Sequence, residues 1–130
     1  MYLKKRRKFT ARVPDQPIPD VTQDDVERII RRDFPAIKFE DVIAILAEYV
    51  TQGDGGAIRV RLAALKLADG ELDSLRKQIA TANRDYRDVL VAAEYPEYWK
   101  ATSRVRTLAR SEQEHLFDAD WKQYENWLRR

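Results

Sequence analysis

Four residues on one stretch of the chain have the types and spacing for carboxylate chemistry: Asp85, Tyr86, Arg87 and Asp88. On a helix Asp85 and Asp88 are neighbours at i,i+3 and can share a divalent cation such as magnesium through their oxygens. A hundred-degree helical projection puts Tyr86 on the apolar stripe, Asp85 on its flank and Asp88 nearer to solvent. A flanking aspartate of this kind commonly serves as a salt-bridge or cap partner instead. No second acidic pair reinforces the first, and Glu94 falls too far round the wheel to join it. A carboxylate–metal enzyme built on Asp85 and Asp88 is therefore the third-ranked reading, and no metal, cofactor or catalytic residue is assigned.

A second candidate is electrostatic. The first twelve residues hold Lys4, Lys5, Arg6, Arg7, Lys8 and Arg12 and no acid, so residues 13–130 carry 18 Lys+Arg against 22 Asp+Glu. A basic arm is joined to a mildly acidic body. Five adjacent cations can neutralise phosphates and give salt-sensitive, sequence-independent binding to nucleic acid. Tyr2 and Phe9 bracket the run as stacking groups. The plainer alternative is a solvated tail, or one that pairs with the acidic body.

The third candidate is aromatic. Of thirteen aromatic residues, eight fall after residue 85: Tyr86, Tyr95, Tyr98, Trp99, Phe117, Trp121, Tyr124 and Trp127. Large amphipathic rings favour binding hot spots. Phe117, Trp121 and Tyr124 share a helical face and read as core. Tyr95, Tyr98, Trp99 and Trp127 lie off the main stripes and form the candidate partner-binding surface.

Other chemistry is thin. There is no cysteine, which removes disulfides, thiolate nucleophiles and zinc–sulfur or iron–sulfur sites, and suits a reducing cytoplasm. The single histidine, His115, reads as a surface residue in the first turn of the last helix. The run Gly53-Asp54-Gly55-Gly56 lacks the Gly-Lys-Ser/Thr ending of a phosphate loop and reads as a helix–helix turn. No apolar stretch approaches the roughly 18–20 residues of a membrane span, and no signal-peptide apolar region follows the basic start.

The elements that must position these groups are helical. Pro14, Pro17 and Pro19 make an extended connector, dividing the chain into a basic arm with linker (1–19) and a helical domain (20–130). Thr22 and Asp25 form a capping box, with Val21 and Val26 at staple positions and Val26, Ile29 and Ile30 facing inward until Pro35 ends the helix. A second helix spans roughly 40–52, with Val42, Ile45, Leu46, Tyr49 and Val50 inward and Gly53 as its cap. Residues 56–69 combine strand-like alternation with strong helix formers and are assigned a helix with Ile58, Leu62 and Leu65 inward. Leu72, Leu75, Ile79, Ala82, Tyr86, Val89 and Ala93 form an unbroken a/d stripe, hence one long helix over about 71–94. Residues 97–109 read as a short helix or turn. Ser111 and Glu114 box the last helix, about 112–129, with Phe117, Trp121, Tyr124 and Leu128 inward.

The expected fold is all-α: a single compact bundle of five or six helices around the long one, with an extended basic arm. The expected function is a non-catalytic helical interaction, adaptor or regulatory protein that binds another protein through the late aromatic surface. Nucleic-acid association through Lys4–Lys8 is the alternative. Arm exchange or helix packing offers a route to a homodimer.

Overall fold

The computed structural model of the chain describes residues 6–7, 16–50, 56–101 and 107–130. It is all-α, with six α-helices among these residues: α1 Gln23–Asp33, α2 Phe39–Ala47, α3 Ala57–Ala68, α4 Leu72–Glu94, α5 Pro96–Lys100 and α6 Arg110–Arg129. A 3-10 turn, Ala36–Lys38, leads into α2. Ahead of the helices, the backbones of Arg6–Arg7 and Gln16–Pro17 pair antiparallel. The side chains of the arm, those of Lys4, Lys5, Arg6, Arg7 and Lys8 included, lie outside the described residues, and so does most of the glycine turn at 53–56.

The helices group into two compact units, Val21–Ala93 and Glu94–Arg130, the latter together with Met1–Asp20.

In the larger unit α1 forms where its sequence signals place it. Thr22 Oγ1 accepts the amide N–H of Asp25, while Asp25 accepts the N–H of Thr22 at 2.9 Å. Val26, Ile29 and Ile30 are buried. Pro35 holds Phe34 extended (φ −122°, ψ 149°), so the helix cannot continue. α1 packs against both α2 and α3, and the Arg31 guanidinium lies 4.7 Å from the centre of the Phe39 ring.

α2 is shorter than its periodicity implies: it stops at Ala47, and Val50 is 74% exposed rather than inward. The reason lies elsewhere in the chain. Arg61 donates from Nε to the Leu46 carbonyl (2.9 Å) and from Nη2 to that of Tyr49 (3.0 Å). Asn83 donates to the Glu48 carbonyl (3.1 Å) and accepts the Val50 N–H (3.3 Å). Two polar side chains thus satisfy the carbonyls that a further helical turn would have used.

In α3 the helix formers prevail over strand alternation. Val60, Leu62, Ala63, Ala64, Leu65 and Ala68 are all buried, and Ile58 is half-buried. Asp69 ends it in the left-handed region (φ 51°) and Gly70 follows at φ 82°. A Cβ on Gly70 would lie 2.9 Å from the Asp33 carbonyl oxygen, so this turn needs glycine for space as well as for dihedral freedom.

α4 is not one uninterrupted helix. Leu75, Ile79, Ala82, Val89 and Ala93 are buried as the stripe requires, but Asp85 has extended backbone (φ −157°, ψ 99°) and Tyr86 is 42% exposed.

In the smaller unit α5 packs on α6. The start of α6 corrects the expected Ser111–Glu114 box: the helix begins at Arg110, and Glu112 reaches back to the Ala109 N–H at 3.0 Å. Glu114 instead pairs with Arg110 at 3.5 Å. Phe117, Tyr124 and Leu128 are buried and Trp121 is partly exposed. Pro19, at the end of the connector, is buried, and with Asp20 it lines a small crevice beside Trp121, Tyr124 and Leu128 of α6.

Candidate functional site

The four aromatic residues of the candidate surface do not share a fate. Tyr95, Tyr98 and Trp127 are buried; Trp99 alone is half exposed, at 50%. The correction follows from how α5 meets α6. Pro96 opens α5 with its ring in place of an N–H, leaving the amides of Glu97 and Tyr98 to be satisfied. Asp120 of α6, fully buried, supplies both acceptors: Oδ1 takes the Glu97 N–H at 3.1 Å and Oδ2 takes that of Tyr98 at 3.0 Å.

With α5 fastened in this way, Tyr98 stacks on Phe117 (4.2 Å between centroids, 22° between planes) and Tyr95 meets the same ring edge-on (5.3 Å, 81°). Burial pushes the Tyr98 phenol up from its ordinary pKa, so it stays neutral as a core residue should. Trp127 leans on Tyr124 at 5.5 Å. What remains outside is the other side of the turn: Glu97, Trp99 and Lys100, with Lys100 and Glu97 paired at 3.3 Å. A tryptophan is thus held open on a short helix that a buried carboxylate keeps in place.

Asp120 was not among the candidates, though its position was a signal. It falls three residues after Phe117 and four before Tyr124, on the buried face of α6. An acid there requires a partner, and a Pro-initiated helix elsewhere in the sequence requires an acceptor.

The Asp85–Asp88 string also resolves into structure. Asp85 Oδ1 accepts the amide N–H of Arg87 (3.1 Å) and the Arg87 guanidinium grips both carboxylate oxygens (3.0 and 3.2 Å). That is the geometry of an N-cap starting the second half of α4. Asp85 therefore lies outside the helical turn that carries Asp88, and its carboxylate is engaged by Arg87. The hydrogen bonds and charge of Arg87 hold the Asp85 carboxyl below its ordinary pKa. No group of three or more His, Asp or Glu placed to hold a metal ion occurs among the described residues. His115, with α6 starting at Arg110, sits in the second turn rather than the first and is exposed.

In the larger unit an open groove of about 730 Å³ runs between the Phe34–Lys38 corner and the first turns of α4. Lys38, Arg76 and Lys77 face it together with Asp41, Glu71 and Asp73, and Arg76 is tied to Asp73 at 2.9 Å. Three charges of each sign give it no net preference for an ion.

No helix among the described residues is long and apolar enough to cross a membrane. Compared with known proteins, the chain matches no protein-family model, no curated protein and no solved structure.

Proposed function

We propose that the protein is a non-catalytic helical interaction protein, an adaptor or regulatory subunit, that docks a protein partner on Trp99. The observation that carries this reading is the half-exposed indole on α5, a turn fixed by the two hydrogen bonds that its amides donate to Asp120. Tryptophan is enriched among residues that dominate binding energy, and a contact group already held in place loses little entropy on docking. Asp85 and Asp120, the two acids that stand out, each accept the N–H groups at the start of a helix. A cysteine-free sequence suits the cytoplasm as the setting.

The test is affinity capture with wild-type protein and Trp99→Ala, with Ile37→Ser as a control at a second exposed apolar residue. Loss of one specific partner in Trp99→Ala alone, at unchanged circular dichroism, supports the proposal; equal recovery by all three proteins rejects it.

The charge asymmetry favours a second reading, nucleic-acid docking through Lys4, Lys5, Arg6, Arg7 and Lys8. Anisotropy of a labelled oligonucleotide would then show affinity that falls steeply with salt and is lost without residues 1–12. Binding that persists in the truncated chain counts against it.

A further inference from the structure

We propose that α4 contains a two-state hinge at residue 85 and that the Asp85 side chain is its latch. Sharp breaks in helices nearly always trace to proline, to glycine or serine pairs, or to a group inserted into the hydrogen-bond ladder. Between Leu72 and Glu94 there is neither proline nor glycine. The one observed insertion is Asp85 itself. In a continuous helix the Arg87 N–H would donate to the carbonyl of Asn83, four residues back. Here it donates to Asp85 Oδ1 at 3.1 Å, and the residue carrying that carboxylate is the one with extended backbone.

The two halves differ in how they are held. Asn83, two residues before the break, is anchored to the end of α2 through the Glu48 carbonyl and the Val50 N–H. Past the break, the first residue, Tyr86, is 42% exposed although it stands on the apolar stripe between Ala82 and Val89. A continuous helix returns Tyr86 to that stripe and gives up the Asp85 cap. The sequence thus favours the straight form through the stripe and the broken form through one side chain. Exchange between two such arrangements of packed helix falls in the microsecond–millisecond range.

The test is solution NMR on the full chain. In wild type the Cα and Cβ shifts of residue 85 should be in the extended range, with relaxation dispersion confined to residues near 84–88. A soluble paramagnetic agent should reach the Tyr86 ring. In Asp85→Ala, residue 85 should move to helical shifts, the dispersion should vanish and Tyr86 should become protected. Asp85→Asn, which caps as well as aspartate, should retain the wild-type pattern, and so should Arg87→Ala, which keeps the backbone N–H. Should Asp85→Ala not fold, Asp85→Glu is read the same way, because glutamate keeps the charge but is a better helix former than cap. Extended shifts at residue 85 in the alanine or glutamate variant would overturn the latch. Helical shifts in Asp85→Asn would overturn the cap as its cause, and a wild type without dispersion would overturn the second state.

Discussion

Replacing Asp120 with alanine removes the carboxylate that caps the start of α5. The residue has no exposed surface, and its two carboxylate oxygens accept the Glu97 and Tyr98 amide N–H groups at 3.1 and 3.0 Å. Truncation strands both donors at the base of a helix whose first position, proline, contributes none. A buried donor left without a partner costs about 1–3 kcal/mol, more where the lost acceptor was charged. Glu97 is exposed as a residue and water can reach part of its backbone, so the expected loss is about 3 kcal/mol rather than the roughly 6 kcal/mol upper limit. Asp120→Asn keeps one acceptor oxygen but turns an NH₂ toward the other donor, so it should recover less than half of the loss. The assay is urea unfolding followed by tryptophan emission, which is selective: Trp99, Trp121 and Trp127 all lie in the α5–α6 unit. With a slope of about 1–2 kcal/mol per molar, the midpoint should fall by roughly 1.5–3 M. The exposed neighbour Asp118→Ala should stay within about 0.5 kcal/mol of wild type. A loss below about 0.5 kcal/mol in Asp120→Ala would refute the capping account.

Three further outcomes are expected. Arg61→Ala removes the donor to the Leu46 and Tyr49 carbonyls and should cost about 2 kcal/mol by thermal circular dichroism, with Arg61→Lys restoring only part because a single ammonium cannot reproduce the fork. Gly70→Ala combines a φ of 82° with a 2.9 Å approach to the Asp33 oxygen and should lose about 1–3 kcal/mol by urea unfolding, whereas Asp69→Gly, relieving φ 51°, should be neutral or slightly stabilising. The Asp85 carboxyl, followed by carbon NMR, should titrate below the ordinary aspartate value and move back toward it in Arg87→Gln. Because its folded pKa is depressed, the contribution of this pair is present above the ordinary value and disappears as pH falls through the depressed one.

What the sequence made legible was whatever a single element encodes. The Thr22–Asp25 box and the stop before Pro35 depend on neighbours within a few residues, and each is found as read. Two of the misread points, the end of α2 and the exposed face of α5, have a different cause: their determinants come from distant parts of the chain. α2 stops early because Arg61 and Asn83 arrive from other helices to take its carbonyls. The late aromatic surface shrinks to Trp99 because Asp120, more than twenty residues on, fixes which side of α5 faces Phe117. Trp127 lies beside Leu128 on α6, yet its ring turns in toward Tyr124. The break at Asp85 is a closer contest, since the apolar stripe predicts continuity and the aspartate three residues before Asp88 carries the same spacing as the Thr22–Asp25 cap. Periodicity registers the stripe and passes over a decision made by one side chain.

The most direct measurement of the central claim is in-cell photo-crosslinking with a photoreactive phenylalanine analogue at position 99, compared with position 115, where exposed His115 marks the surface of α6. Docking through Trp99 predicts a discrete protein adduct from position 99 and none from position 115. An adduct from neither, or the same adducts from both, would contradict it.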